Sequence, residues 1–252
     1  PEALADYTKV IELAPKNAWS YISRAEVHRQ AGDVAGAFAD IDAALALEPK
    51  NVGLHWQWGY AHHQLKQYPE ALAAFTRCIE LQPDYYTAYY WRSIVRRASK
   101  LDLPAALVDI DHALALLKEP ASYYQLERAY VLRDLGRNTE ALEEFDRAVS
   151  TTPKDGYVFA ERGNQKKLMG DTTGALGDFD LAIQFDPNRA LGYSRRGITR
   201  REQGDFSAAL VDLNKALELE PKAWGNHAER GLIQLNLGRI DEAKQGLEKA
   251  IA

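Results

Sequence analysis

Residues 156–189 read GYVFAERGNQKKLMGDTTGALGDFDLAIQFDPNR. The stretch predicts two short helices. The first runs up to Gly170, because glycine accepts the left-handed conformation that closes a helix C-terminus. The second carries Ala175, Phe179, Ala182 and Ile183, apolar side chains at steps of three and four that share one face. Pro187 has no N–H to donate and ends it.

The unit recurs from end to end. The alanine that opens the second helix returns at Ala3, Ala37, Ala71, Ala106, Ala141, Ala175, Ala209 and Ala243, at spacings of 34, 34, 35, 35, 34, 34 and 34 residues. Four residues on stands a large apolar side chain: Tyr7, Ile41, Phe75, Ile110, Phe145, Phe179, Leu213 and Leu247. Three further on stands a slimmer one: Val10, Ala44, Cys78, Ala113, Ala148, Ala182, Ala216 and Ala250. Proline follows at Pro15, Pro49, Pro83, Pro153, Pro187 and Pro221, with Lys118 in its place once. The first helix repeats a small residue at Ala25, Gly59, Ser93, Ala129, Gly163, Gly197 and Gly231. Small residues let two helices approach, and large ones fill the space between them. The pattern resembles the tetratricopeptide repeat family, with its 34-residue helix–turn–helix and its A…F…P signature. The resemblance covers the whole chain and implies an all-α, right-handed superhelical solenoid of antiparallel helix pairs.

On this reading residues 1–252 form one solenoid. Residues 1–17 are the second helix of a truncated unit, full units start at 18, 52, 86, 122, 156 and 190, and the last, 224–252, is incomplete. The chain starts at Pro1, without methionine and inside a unit, so it reads as a piece of a longer protein with apolar surface at both ends. The unit starting at 86 has gained one residue in each turn, around Lys100–Pro104 and Leu117–Pro120. A tolerated loop insertion accounts for this, since added loop length costs little entropy; the functional alternative is a local change of curvature. A net charge of −5 over 252 residues is too mild to imply nucleic acid or a membrane surface, and no apolar run is long enough to span a bilayer. One cysteine, Cys78, excludes a disulfide framework and reads as a packed thiol. Nothing identifies the compartment; the cytoplasm is slightly favoured.

A polar column runs through the units. Before the small residue of each first helix stand Arg24, Trp58, Arg92, Arg128, Arg162, Arg196 and Arg230. Three residues after each second-helix alanine stand Asp40, Ala74, Asp109, Glu144, Asp178, Asp212 and Gly246, and two further on Asp42, Thr76, Asp111, Asp146, Asp180, Asn214 and Glu248. The unit with Trp58 also lacks both acids. This correlation predicts structural ion pairs inside each unit: Arg24–Asp40, Arg92–Asp109, Arg128–Glu144, Arg162–Asp178 and Arg196–Asp212. A planar guanidinium suits such bidentate pairing.

The resemblance implies that the first helices line a concave groove and that unit positions 2, 5, 9, 12 and 13 meet ligands. Carried onto this sequence, the first four of these positions give Trp19, Tyr123 and Tyr157; Trp56 and Tyr90; Tyr60 and Tyr130; and Arg29, His63, Arg97, Arg133, Lys167 and Arg201. Aromatics and arginine are the composition of binding hot spots. With helices ~8–10 Å apart and an extended chain advancing ~3.3 Å per residue, the expected partner is an extended protein segment. It would carry an acidic residue about every third position and an aromatic or apolar anchor near Trp56, Tyr60 and Tyr90. Two groove chemistries of the family do not match. The clamp for a terminal carboxylate needs lysine at position 5, and position 6 (Ser23, Gln57, Trp91, Glu127, Glu161, Arg195 and Glu229) holds no asparagine ladder.

No phosphate loop, CxxC or HExxH occurs, and the six histidines show no ligand spacing with carboxylate or cysteine. No catalytic residue, metal or cofactor is expected. The leading reading is a non-catalytic scaffold for a protein segment. The alternatives are a self-assembly module stacking through its ends, and a regulatory or substrate-recruiting region of a larger enzyme.

Overall fold

The computed structural model describes residues 2–244. Leu247, Glu248, Gly246 and Ala250 of the repeat pattern lie outside the described residues. Every element among the described residues is helical, and none is a strand. The chain divides into two compact units, Pro1–Pro120 and Ala121–Ala252.

The first unit holds α1 (Glu2–Leu13), α2 (Ala18–Gln30), α3 (Val34–Leu47), α4 (Val52–Gln64), α5 (Tyr68–Leu81), α6 (Tyr86–Ser99) and α7 (Leu103–Leu116). The second holds α8 (Ser122–Asp134), α9 (Asn138–Thr151), α10 (Gly156–Leu168), α11 (Thr172–Phe185), α12 (Ala190–Glu202), α13 (Phe206–Leu219) and α14 (Trp224–Asn236), and a further helical run begins at Ile240. The helices pack as pairs: α2 with α3, α4 with α5 and α6 with α7 in the first unit, and α8 with α9, α10 with α11 and α12 with α13 in the second.

Local chemistry sets the ends. Asn17, Asp33, Asn51, Asp102, Asp155, Asp171 and Asp205 each accept a hydrogen bond from an N–H of the first turn they precede, which satisfies donors that the helix itself leaves unpaired. The turn inside each pair needs one left-handed residue. Glycine supplies it at Gly32, Gly136, Gly170, Gly204 and Gly238, but Lys66 (φ 59°) and Lys100 (φ 54°) take the same place in the units starting at 52 and 86. The first extra residue of the irregular unit falls just after Lys100, where Leu101 is largely exposed in the turn before α7; the second lengthens the turn after Leu116.

The core runs along the pairs. Ala71, Phe75 and Val95 form one fully buried cluster in the first unit, and Ala209, Leu213 and Ile233 another in the second. Burying Phe75, Val95, Leu213 or Ile233 stabilises by ~1.5–3 kcal/mol each. The small first-helix residue is required by contact: a Cβ on Gly163 would lie 2.7 Å from Phe179 Cε1.

Candidate binding face

The candidate face is carried by the first helix of each pair, and ion pairs fix those helices to the second. Arg24 donates to both carboxylate oxygens of Asp40 at 2.8 and 2.6 Å. Arg92 does the same to Asp109, Arg162 to Asp178 and Arg196 to Asp212, with all distances 2.6–2.9 Å. Arg128 donates to Glu144 at 2.6 Å, and Arg147 shares that acid. The acids are almost wholly buried. Hydrogen bonding to the acids outweighs burial and raises the pKa of Arg24, Arg162 and Arg196. Arg92, Arg162 and Arg196 also lie over the rings of Tyr89, Phe159 and Tyr193, three residues earlier on the same helix.

Two features of this column differ from the pattern read in the sequence. The second polar position does not serve its own unit. Arg92 reaches Thr76, Arg162 reaches Asp146, Arg196 reaches Asp180 and Arg230 reaches Asn214, each on the second helix of the preceding pair, and Arg24 likewise reaches Thr8 of α1. These side chains strap one pair to the next. A second basic column, four residues after the first, also converges on the buried acids. Arg96 lies 2.6 Å from Asp109, Lys166 2.9 Å from Asp178 and Arg200 2.8 Å from Asp212, and His28 is 3.8 Å from Asp40. That column is broken by Leu132 and Gln234, which hid its period.

In the first unit the aromatic residues converge. Trp56 and Tyr60 stack on α4, with centroids 5.4 Å apart and planes 5° from parallel. Trp91 of α6 meets both edge-on, at 6.2 and 4.9 Å, and also touches His63, Tyr90 and Phe75. Trp91, at unit position 6, is thus the hub of the cluster. Trp56 Nε1 is buried without a protein acceptor. Burial, and then the charge of Arg97, lower the pKa of His63. Trp19 of α2 is 70% exposed and lines a crevice together with Trp56 and Tyr60. Arg29 is held by Glu26 of its own helix at 2.6 and 2.7 Å.

In the second unit the tyrosines meet through their hydroxyls: Tyr130 and Tyr157 are 2.8 Å apart. Burial is the main reason that the pKa of Tyr130 is raised far beyond the ordinary tyrosine value. Arg133 lies over the Tyr130 ring and 3.5 Å from Glu161, and Arg189 lies over Tyr157. Lys167 is 2.8 Å from Glu202, and Arg201 Nε is 2.6 Å from Glu229. These three bases are therefore paired with acids of the same face. Tyr123 lies against Tyr124 and is half exposed.

Other reactive groups are held in structural contacts. Cys78 is fully buried, its thiol donates to the Val52 carbonyl, and burial pushes its pKa up to about 12. His55 and His227 bond the carbonyls of Pro49 and Pro221 in equivalent turns. Among the described residues no group of three His, Cys, Asp or Glu side chains could hold a metal, and no helix is long and apolar enough to cross a membrane.

Models of the tetratricopeptide repeat match residues 52–85, and residues 1–52, 102–156 and 194–252. The chain is 44% identical over 59 residues to bacteriophage adsorption protein A of Escherichia coli, a match covering 23% of this chain and 6% of that protein. It is 29% identical over 166 residues to human tetratricopeptide repeat protein 6, covering 65% of this chain and 31% of that one. The chain thus spans under a third of the length of these relatives. A tetratricopeptide repeat protein from Parabacteroides merdae has the same fold, with a TM-score of 0.74 at 18% identity, over 99% of this chain and 91% of that one.

Proposed function

Because the chain belongs to the tetratricopeptide repeat family, a fold of protein–protein interaction scaffolds, we propose that the first helices of its pairs bind an extended protein segment. The observation that carries this reading is the ring cluster Trp56, Tyr60, Tyr90 and Trp91, which gathers large, rigid side chains on one face of the first unit. Rings of this kind supply contact area with little loss of side-chain freedom and dominate interface energetics.

In the second unit, Tyr123, Tyr130 and Tyr157 form the apolar part of that unit's own first-helix face. Arg133, Lys167 and Arg201 are already paired there, so an acidic side chain of the partner must displace Glu161, Glu202 or Glu229. Charge then contributes selectivity and the rings contribute most of the affinity. This supports a partner with an aromatic or apolar anchor and a smaller contribution from acidic residues. The ion-pair column carries the helices and takes no part in binding, because its acids already occupy the arginines.

The test is selection of displayed peptides on the intact chain, followed by affinity measurement with Tyr90→Ala and Arg133→Glu at two salt concentrations. Tyr90→Ala should weaken the selected peptides at both. Arg133→Glu should weaken acidic peptides mainly at low salt, where screening is least. If neither change alters binding, the partner does not use this face.

A further inference from the structure

We propose that the crevice between α2 and α4 is a socket for one large apolar side chain of a bound segment, held open by Ala61; the inference rests on the segment-binding reading. The crevice measures about 770 Å³ and is bounded by α2, α3 and α4 within the first unit, a size typical of ligand pockets, ~300–1,000 Å³. Ala37 and Ile41 of α3 line it, as do Trp56 and Tyr60 of α4.

Its origin lies in one position of the repeat. Ala61 is the tenth residue of its unit. Of its equivalents, Val95, Val131, Gln165, Thr199 and Ile233 are all larger and all at most 1% exposed, while Val27 of the preceding unit, also larger, is partly buried and lines the crevice itself. Val95 packs on Ala71 and Phe75, and Ile233 packs on Ala209 and Leu213. Those partners correspond to Ala37 and Ile41. They are fully sealed, whereas Ala37 and Ile41 keep 8% and 6% of their surface exposed. The alanine methyl is too short to cover them, so the core of the first full pair remains open to the crevice.

The repeat itself shows what fits. Val95, Val131 and Ile233 fill this place with carbon, and where Gln165 and Thr199 stand their side chains donate to the Asn138 and Arg195 carbonyls, so an aliphatic or aromatic side chain from outside meets a surface that branched carbon fills in three other pairs. The charged lining residues, Glu26 and Arg29, are bonded to each other, so no free charge is offered to an ionised occupant. Ser23, Gln57 and Gln64 offer uncharged hydrogen bonds to main chain at the rim. The occupant is therefore a leucine, isoleucine, phenylalanine or tryptophan on an uncharged stretch.

The test uses N-acetyl-leucinamide and N-acetyl-tryptophanamide as probes, with N-acetyl-aspartate amide as the charged control. Isotope-labelled intact chain should show saturable NMR shifts at Ala37, Ile41 and Ala61 with the two apolar probes and none with the control. Ala61→Ile should weaken the apolar probes at least tenfold with its circular dichroism unchanged. Ala61→Val should do so less, and serves should the larger residue misfold. Absence of saturable shifts in the unaltered chain, or equal binding in both variants, overturns the proposal. Peptides selected on the face separate the two readings. If Ala61→Ile retains those that Tyr90→Ala loses, the face stands and the socket falls. If both variants retain them, the segment-binding reading falls and takes the socket with it.

Discussion

Replacing Arg162 with alanine tests whether the arginine column is structural. The change removes two hydrogen bonds to Asp178, of 2.9 and 2.6 Å, and one of 3.0 Å to Asp146. Asp146 is exposed, so its bond contributes little, ~0–1 kcal/mol. Asp178 decides the outcome, because its side chain is only 3% exposed. A buried carboxylate stripped of its partner costs ~3–5 kcal/mol. Here Lys166 stays 2.9 Å away and keeps part of the charge satisfied. The expected loss is therefore about 1.5–3 kcal/mol, the range of hydrogen bonds to charged groups. An array of helix pairs need not unfold as one body, so urea denaturation followed by circular dichroism should be joined to hydrogen exchange at the α10 and α11 amides. Peptide affinity on the first-helix face should stay within twofold. Arg162→Met combined with Asp178→Leu and Lys166→Met should recover most of the stability, since neither the buried carboxylate nor the partly buried Lys166 ammonium is then left unpaired. A loss below ~0.5 kcal/mol, or lost binding at unchanged stability, would refute the structural assignment.

Three further outcomes are expected. Gly156→Ala should lower stability by ~1–3 kcal/mol, because the new Cβ would lie 2.6 Å from the Ala182 carbonyl oxygen, which is backbone and cannot step aside; a melting temperature equal to the parent's contradicts this. Lys66→Gly should raise stability by ~0.5–1 kcal/mol, since a left-handed L-residue costs ~1–2 kcal/mol and glycine returns part of that as unfolded-chain entropy; the position has φ 59°, and denaturant midpoints decide it. Burial and Arg97 hold the His63 pKa below its usual ~6.5, so the unfolded chain takes up the proton first as pH falls. The His63 contribution is thus full above pH ~6.5 and declines below it; His63→Gln should flatten the stability profile between pH 7.5 and 5.5, and parallel profiles would exclude the effect.

The repeat was legible because its signals are local and recur: left-handed glycines, a small first-helix residue and an alanine at spacings of 34 or 35 residues. The pairing of Arg24 with Asp40 was legible for a related reason, since the Trp58 unit changes both columns together. What stayed hidden involves neighbouring pairs. The strap from Arg162 to Asp146 runs backwards along the chain, and a single unit read alone cannot show its direction. The acids at Glu161 and Glu229 pair with bases of the preceding unit, so a stripe that reads as open positive charge is largely compensated. Trp91 sits at a position read for one polar motif, and only the convergence of α4 and α6 makes it a hub. Ala61 looks like any helix alanine until the side chains it replaces are seen sealing the other cores.

The straps have a mechanical consequence. Inside the two units, α1 is tied to α2, α5 to α6, α9 to α10, α11 to α12 and α13 to α14 by one arginine each. At the junction of α3 and α4 the arginine is Trp58, and Phe38 meets His62 ring to ring, 4.4 Å between centroids, with Trp58 against that histidine. Tilted and edge-on ring contacts slide where a directional guanidinium hydrogen bond must break. Under tension applied at its ends, the first unit should therefore yield at this joint before any other, which makes it a compliant element. Trp58→Arg, which puts a guanidinium within reach of the exposed Asp42, should raise the force of the earliest yielding event in single-molecule stretching. An unchanged first event would mean that the ring contact bears load as well as the arginine straps do.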